Sequence, residues 1–127
     1  MKTTSIIVLL IGLALPSLVF GQDKSEPAMK TYTFVMLKKG PNRTQDSLTV
    51  VDIQKRHIEH LENLASSFEL NVAGPFLDDG NWRGLLIFNS DDLEKVKTLV
   101  EADPAVSSGR LSYEIHPWMS QKGASLK

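Results

Sequence analysis

Leu70-Asn71-Val72-Ala73-Gly74-Pro75-Phe76 and Gly84-Leu85-Leu86-Ile87-Phe88, joined by Leu77-Asp78-Asp79-Gly80-Asn81-Trp82-Arg83, stand at the middle of the chain and decide its fold. Both flanking runs are short and apolar. The link between them holds the Asp-Gly and Gly-Asn pairs that tight turns need, because these residues tolerate the left-handed backbone region. The stretch reads as a β-hairpin, and the acidic pair Asp78-Asp79 is read as turn chemistry. What lies on either side of the hairpin sets the topology.

Upstream, Val50 to Phe68 has helical period: Leu61, Leu64 and Phe68 follow His57 at spacings of four, three and four, while Glu59, Glu62 and Asn63 fall opposite. His57 thus lies in the core-facing stripe and His60 at its edge. Before this helix, Thr31-Tyr32-Thr33-Phe34-Val35-Met36-Leu37 reads as a strand, stopped by the turn residues Lys38-Lys39-Gly40-Pro41-Asn42. Downstream, Ser90 offers a helix N-cap, with Asp91 and Asp92 placing negative charge in the first turn. Leu93, Val96 and Val100 share the face of a helix that runs to Ala102. Asp103 precedes Pro104, which pushes it out of the helical region and places it at the helix exit. A last strand follows, with Leu111, Tyr113 and Ile115 on one face, ending at Pro117.

The resulting order is βαββαβ, an α+β pattern that folds as a ferredoxin-like sandwich: an antiparallel sheet with two helices on one face. Two rows of large side chains are expected on the sheet, Tyr32, Phe34 and Met36 with Leu86 and Phe88, and Thr31, Thr33 and Val35 with Leu85 and Ile87. Both rows carry apolar residues, more than a lone two-layer sandwich can cover. Dimerisation through the sheet is the expected remedy.

Residues 1–21 read as a secretory signal peptide: Lys2, an apolar run from Ile6 to Phe20 too short to span a bilayer comfortably, and small residues before Gln22. Residues 22–30 are a flexible lead-in, 31–118 the domain and 119–127 a polar tail. The expected product is exported, periplasmic or secreted, with no membrane attachment after cleavage. The chain carries 14 basic and 15 acidic residues for a net charge of −1, and the leader removes only one basic residue, Lys2. Without a basic patch, no nucleic-acid partner is expected. No cysteine occurs, which excludes disulfides, thiolate nucleophiles and cysteine-based zinc sites. Asn42-Arg43-Thr44 has the form of a glycosylation acceptor, relevant only in a eukaryotic secretory pathway.

Four segments together resemble the YCII-related family, whose members fold as dimeric α+β barrels. They are His57-Ile58-Glu59-His60-Leu61-Glu62-Asn63-Leu64, Ala73-Gly74-Pro75-Phe76 with the Asp78-Asp79-Gly80 turn, Arg83-Gly84-Leu85-Leu86-Ile87-Phe88, and Ala102-Asp103-Pro104-Ala105-Val106 leading through Gly109 to His116-Pro117-Trp118. The resemblance implies a homodimer with a cleft between sheet and helices. It also implies that His57 and Asp103 form the candidate active-site pair. Some relatives are associated with dehydrochlorination of chlorinated aromatics, so a lyase-like role is among those the resemblance implies. The leader, and Ser66-Ser67-Phe68-Glu69 where family members often carry a glycine, depart from the pattern.

An aspartate accepting from one imidazole nitrogen would fix the tautomer and leave the other nitrogen basic, as a general base requires. With no cysteine and no activated serine, proton abstraction from a small carbonyl, phenolic or halogenated compound is the reaction the residues fit. The alternative is that His57 is a satisfied core histidine, in a non-catalytic ligand-binding or structural dimer. Arg83 is a candidate for binding a carboxylate, or a solvated hairpin residue. His116 either lines the cleft with a ligand or caps the dimer contact. His60, three residues from His57 without an acidic ligand nearby, is poor evidence for a metal; no metal and no cofactor are expected. Trp82 is read as hairpin decoration, and Tyr32 and Met36 as sheet packing.

Overall fold

The sheet is antiparallel in the order β2-β3-β1-β4, built from β1 (Met29–Lys39), β2 (Leu70–Pro75), β3 (Trp82–Phe88) and β4 (Leu111–Gln121). Helices α1 (Ser47–Ser66) and α2 (Leu93–Glu101) connect the strands as the βαββαβ order requires, and a one-turn helix α3 (Pro104–Ser107) precedes β4. This computed structural model describes residues 26–127. The signal peptide expected over residues 1–21 and the first four residues of the lead-in, 22–25, lie outside the described residues; Met29 and Lys30, at the end of the lead-in, belong to β1.

Of the two inner strands, β3 and β1, β1 has the longer pairing. It meets β4 along its full length, from Met29 opposite Gln121 to Lys39 opposite Leu111. That pairing lengthens β1 at both ends and carries β4 four residues beyond Pro117, where the strand was expected to stop. Pro117 lies opposite Thr33 on an edge strand. The missing N–H of a proline is tolerated at an edge, where it need not serve a second neighbour.

The two side-chain rows differ from the sequence expectation. β1 and β3 pair Val35 with Leu86 and Thr33 with Phe88, while Phe34 meets Ile87 and Met36 meets Leu85. Residues directly opposite share a face, so Thr33, Val35 and Leu37 go with Leu86 and Phe88, and Tyr32, Phe34 and Met36 with Leu85 and Ile87. Alternation alone cannot match rows across two strands; a one-residue change of register exchanges every side chain between faces. The first row is the core, where Val35, Leu37, Leu86 and Phe88 pack against Leu64 of α1 and Val96 and Val100 of α2. Thr33, fully buried, donates its hydroxyl to Ser90 O at 2.7 Å.

Asp46 caps α1 by accepting from Thr49 N. The helix buries Ile53, His57 and Leu64, on the stripe that period predicts. Phe68, expected on the same stripe, lies beyond the helix end, 81% exposed with φ 61°. Its N–H closes on Ala65 O while Glu69 N reaches Leu64 O, a left-handed helix ending usually made by glycine. The N-cap of α2 is Asp92, which accepts from Lys95 N. Ser90, expected in that role, sits two residues earlier, where its hydroxyl accepts from Asp92 N.

Candidate functional site

His57 enters the core because helical period puts it between Ile53 and Leu64 on the inner stripe of α1. Asp103 reaches it from the α2–α3 junction. The following proline holds Asp103 extended, at φ −66° and ψ 124°, and stands at the start of α3, where its missing N–H costs nothing. The carboxylate is thereby aimed two ways. Oδ1 accepts from Ala105 N at 2.8 Å and caps α3, and Oδ2 lies 2.6 Å from His57 Nδ1. Asp103 is 2% exposed and His57 8%.

A carboxylate can only accept, so Nδ1 carries a proton; in the neutral imidazole Nε2 then holds the free electron pair. Nδ1 makes the hydrogen bond of His57, and among the described residues no buried side-chain nitrogen or oxygen lacks a partner. Nε2 therefore opens onto the space beside α1. That space is a cleft of about 500 Å³ between α1 and the sheet, with Leu37, Ile53, Leu61, Leu86 and Leu111 among its apolar walls.

Three arginines line the same cleft: Arg43, Arg83 and Arg110. Arg83 gets there through a β-bulge. β1 and β3 pair Leu37 with Gly84 but Lys38 with Trp82, which leaves Arg83 as the extra residue. Strict alternation would put its side chain with Leu85 on the other face; a bulge re-aims it. It donates to Asp79 Oδ1 at 3.0 Å and Gly80 O at 3.3 Å.

Arg43 and Arg110 are brought together by two loops in close backbone contact. Gly40 N donates to Arg110 O and Asn42 N to Gly109 O, each at 2.9 Å. Gly109 has φ +75°, and a Cβ on Gly40 would stand 2.1 Å from Gly109 O, so both positions need glycine. Arg43 Nη1 donates to Arg110 O at 2.8 Å and Arg110 Nη1 to Gln45 Oε1 at 3.4 Å. Desolvation, then the charges of Arg110 and Arg83, hold the Arg43 guanidinium below its ordinary value, with Asp79 opposing. Sequence reading missed Arg43 and Arg110. They sit in a turn and at a strand start, and only the non-local Gly40–Gly109 contact joins them.

The other candidates lie elsewhere. His116 pairs with Phe34 across β1 and β4, which puts it on the helix-free face of the sheet, exposed, with Nε2 3.7 Å from Glu114 Oε2. It does not line the cleft with His57, because β4 alternates and the cleft side is taken by Leu111, Tyr113 and Ile115. His60 Nε2 bonds Leu99 O at 2.8 Å, tying α1 to α2. Trp82 is exposed beside Phe76, ring centroids 6.1 Å apart. Among the described residues, no group of three or more His, Asp or Glu side chains is placed to hold a metal ion.

The arrangement can take a proton from a molecule in the cleft at Nε2 and can hold negative charge at the arginines. The fold is similar to that of 5-chloro-2-hydroxyhydroquinone dehydrochlorinase from Burkholderia phenoliruptrix, solved in complex with 2,5-dihydroxybenzoquinone: TM-score 0.52 and 23% identity, covering 68% of this chain and 92% of that one. A dimeric protein of ferredoxin-like fold from Bacteroides fragilis is also similar, at TM-score 0.41 and 15% identity over 72% of this chain and 95% of its own. No curated protein matches the sequence. The model of the YCII-related domain matches residues 33–119, well over half of the chain, and the chain belongs to the YCII-related family.

Proposed function

We propose that this protein is a small-molecule enzyme of lyase or isomerase type, in which His57 is the general base and Asp103 orients it. The observation that carries the reading is the 2.6 Å contact between His57 Nδ1 and a buried carboxylate, with Nε2 left open to an apolar cleft. In the reaction, Nε2 takes a proton from a carbon or hydroxyl of the substrate. The electron pair released forms a new π bond as a leaving group departs, or returns to the proton at another position. Asp103 stabilises the imidazolium that forms. The name of the dehydrochlorinase with a similar fold describes loss of hydrogen chloride, an elimination of this kind.

The test is turnover of chlorinated hydroxyquinones and phenols by the wild type and His57→Gln. General base catalysis is worth about 10²–10⁴-fold, so the variant should lose at least about a hundredfold in kcat, together with any acid limb of the pH profile. Equal turnover by the two proteins would remove His57 from the chemistry. A second reading, a non-catalytic ligand-binding or structural dimer, is favoured by one observation: Asp103 also caps α3, a task that needs no substrate. It predicts that His57→Gln lowers the melting temperature and that no compound is turned over.

We further infer that the protein is exported by a leader over residues 1–21, to the periplasm or outside the cell, and that it is a homodimer. The helix-free face supports dimerisation, since Phe34, Leu85 and Ile87 are only half-buried there and Trp118 is 44% exposed. N-terminal sequencing of the exported product should begin at Gln22. Sedimentation should give twice the protomer mass, falling to one protomer in Phe34→Glu.

A further inference from the structure

The arginines at the cleft are a larger collection of positive charge than the proton transfer needs. They come from three separate segments and reach one end of the sheet, around the last residues of β1. Lys38 pairs with Trp82, the neighbour of Arg83, and Lys39 pairs with Leu111, the neighbour of Arg110. Arg43 lies just past the turn that follows. Two devices specific to this place hold them there: the bulge that turns Arg83 inward and the glycine contact that joins the loops of Arg43 and Arg110.

Their charges are incompletely matched. Arg83 meets Asp79, whose side chain is 90% exposed, while among the described residues Arg43 and Arg110 donate only to neutral oxygens, a backbone carbonyl and the Gln45 amide. Glu62 on α1 is the one acidic side chain among the described residues that line the cleft, against three arginines, and Asp103 is committed to His57 and Ala105. Guanidinium groups gathered without an equal number of carboxylates repel one another, and an anion relieves that repulsion. The planar fork of arginine fits the two oxygens of a carboxylate better than it fits a halide. The apolar walls suit an aromatic or aliphatic body, and the cleft volume is that of a site for a small organic molecule.

We propose that the cleft takes a small organic anion. Its carboxylate or phenolate oxygens are held by Arg43, Arg83 and Arg110, and its apolar body lies along Leu37, Leu86 and Leu111 toward His57. Arg43, Arg83 and Arg110 are thus binding residues that select the charge of the ligand. This rests on the general-base reading only for the end of the molecule that faces His57; the anion site stands or falls on binding alone.

The experiment is calorimetric titration of the full mature chain with benzoate and salicylate, and with benzyl alcohol as a neutral counterpart. Benzoate or salicylate should bind the wild type at least about tenfold more tightly than benzyl alcohol, since hydrogen bonds to a charged acceptor are stronger than those to a neutral one. The preference should shrink with added sodium chloride, a readout that needs no variant. In Arg43→Gln/Arg110→Gln it should fall by about tenfold or more, while Arg43→Lys/Arg110→Lys, which keeps the charge, should lose less. Anions that bind no better than benzyl alcohol, or equally well in the arginine and glutamine proteins, would overturn the proposal. Anion binding through the arginines with turnover untouched by His57→Gln would sink the general base and leave this site standing. Turnover that depends on His57 with no arginine dependence would do the reverse.

Discussion

Substitution of Asp103 separates the two tasks of its carboxylate. Oδ1 caps α3 and Oδ2 holds His57, both in a nearly solvent-free setting. Asp103→Ala removes both contacts. The lost cap costs about 1 kcal/mol, and the imidazole N–H left without an acceptor costs about 1–3 kcal/mol, for a combined loss of about 2–4 kcal/mol. Asp103→Ser keeps an oxygen short enough to cap Ala105 but too short to reach His57, so it should lose only the second part, about 1–3 kcal/mol. Asp103→Asn has one oxygen for two donors and turns its own amide hydrogens toward the other, which also costs about 1–3 kcal/mol. Urea unfolding followed by circular dichroism measures these differences, provided the slope stays constant across the series. The expected order is Asp, then Ser and Asn together, then Ala. Turnover should fall in all three. If Ser is as stable as Asp, the contact to His57 contributes nothing and its role in orienting the imidazole is refuted. If Ser is as unstable as Ala, the cap is worth nothing and the imidazole contact carries the whole loss.

Four further predictions rest on separate parts of the molecule. Asp46 is held below its ordinary 3.8, first by the Thr49 backbone N–H and then by the Thr49 hydroxyl. The folded state therefore binds its proton more weakly than the unfolded state. The stabilisation is complete above about pH 3.8 and is lost as pH falls through the lowered value; acid titration of Asp46→Ser, which keeps a cap without a charge, should show a flatter helical signal there. Tyr113, desolvated and donating to Glu101 at 2.7 Å, is pushed up from 10.0 to about 12. Its contribution is intact below pH 10 and declines toward pH 12, so Tyr113→Phe should flatten alkaline unfolding over that range. Gly40→Ala places a Cβ 2.1 Å from Gly109 O. It should cost about 1–3 kcal/mol or more by denaturant melting, and it should weaken benzoate binding by separating Arg43 from Arg110. Phe68→Gly should raise the melting temperature, because the left-handed backbone costs a phenylalanine about 1–2 kcal/mol and an 81% exposed ring has little packing to lose.

Much of the fold was legible because local chemistry and global arrangement agree. The Asp78–Asn81 turn, the helical stripe through His57 and Leu64, and the Val96–Val100 face each follow from a period or a turn rule, and together they impose the strand order. The exceptions have identifiable causes. The side-chain rows were mismatched because register is a property of two strands, whereas alternation is a property of one. β4 was cut short at Pro117 because a proline reads as a stop until the strand is known to be an edge. Phe68 was placed in the core because its period continues the stripe, although its backbone had already left the helix. The N-cap of α2 fell on Asp92, because three polar residues in a row allow any of them to cap.

The candidate site residues group where those same rules break. Asp103 is drawn out of the helix by Pro104, and only an extended backbone there lets one carboxylate serve α3 and His57 together. Arg83 faces the cleft because β3 carries one residue too many against Lys38; without the bulge it would lie on the helix-free face with Leu85. Arg43 and Arg110 meet because Gly40 and Gly109 allow two backbones closer than side chains permit. A regular βαββαβ chain would have none of these arrangements, and each is less favourable locally than the regular alternative. Such departures persist where the surrounding fold holds them, and they concentrate at sites with chemistry to perform. Closing the bulge by deletion of Trp82, which would leave Arg83 to pair with Lys38, tests this directly. Restored alternation should turn Arg83 to the helix-free face and weaken benzoate binding, while the core pairs Val35–Leu86 and Thr33–Phe88 stay in register. Unchanged anion binding in that deletion would show that the bulge does not aim Arg83.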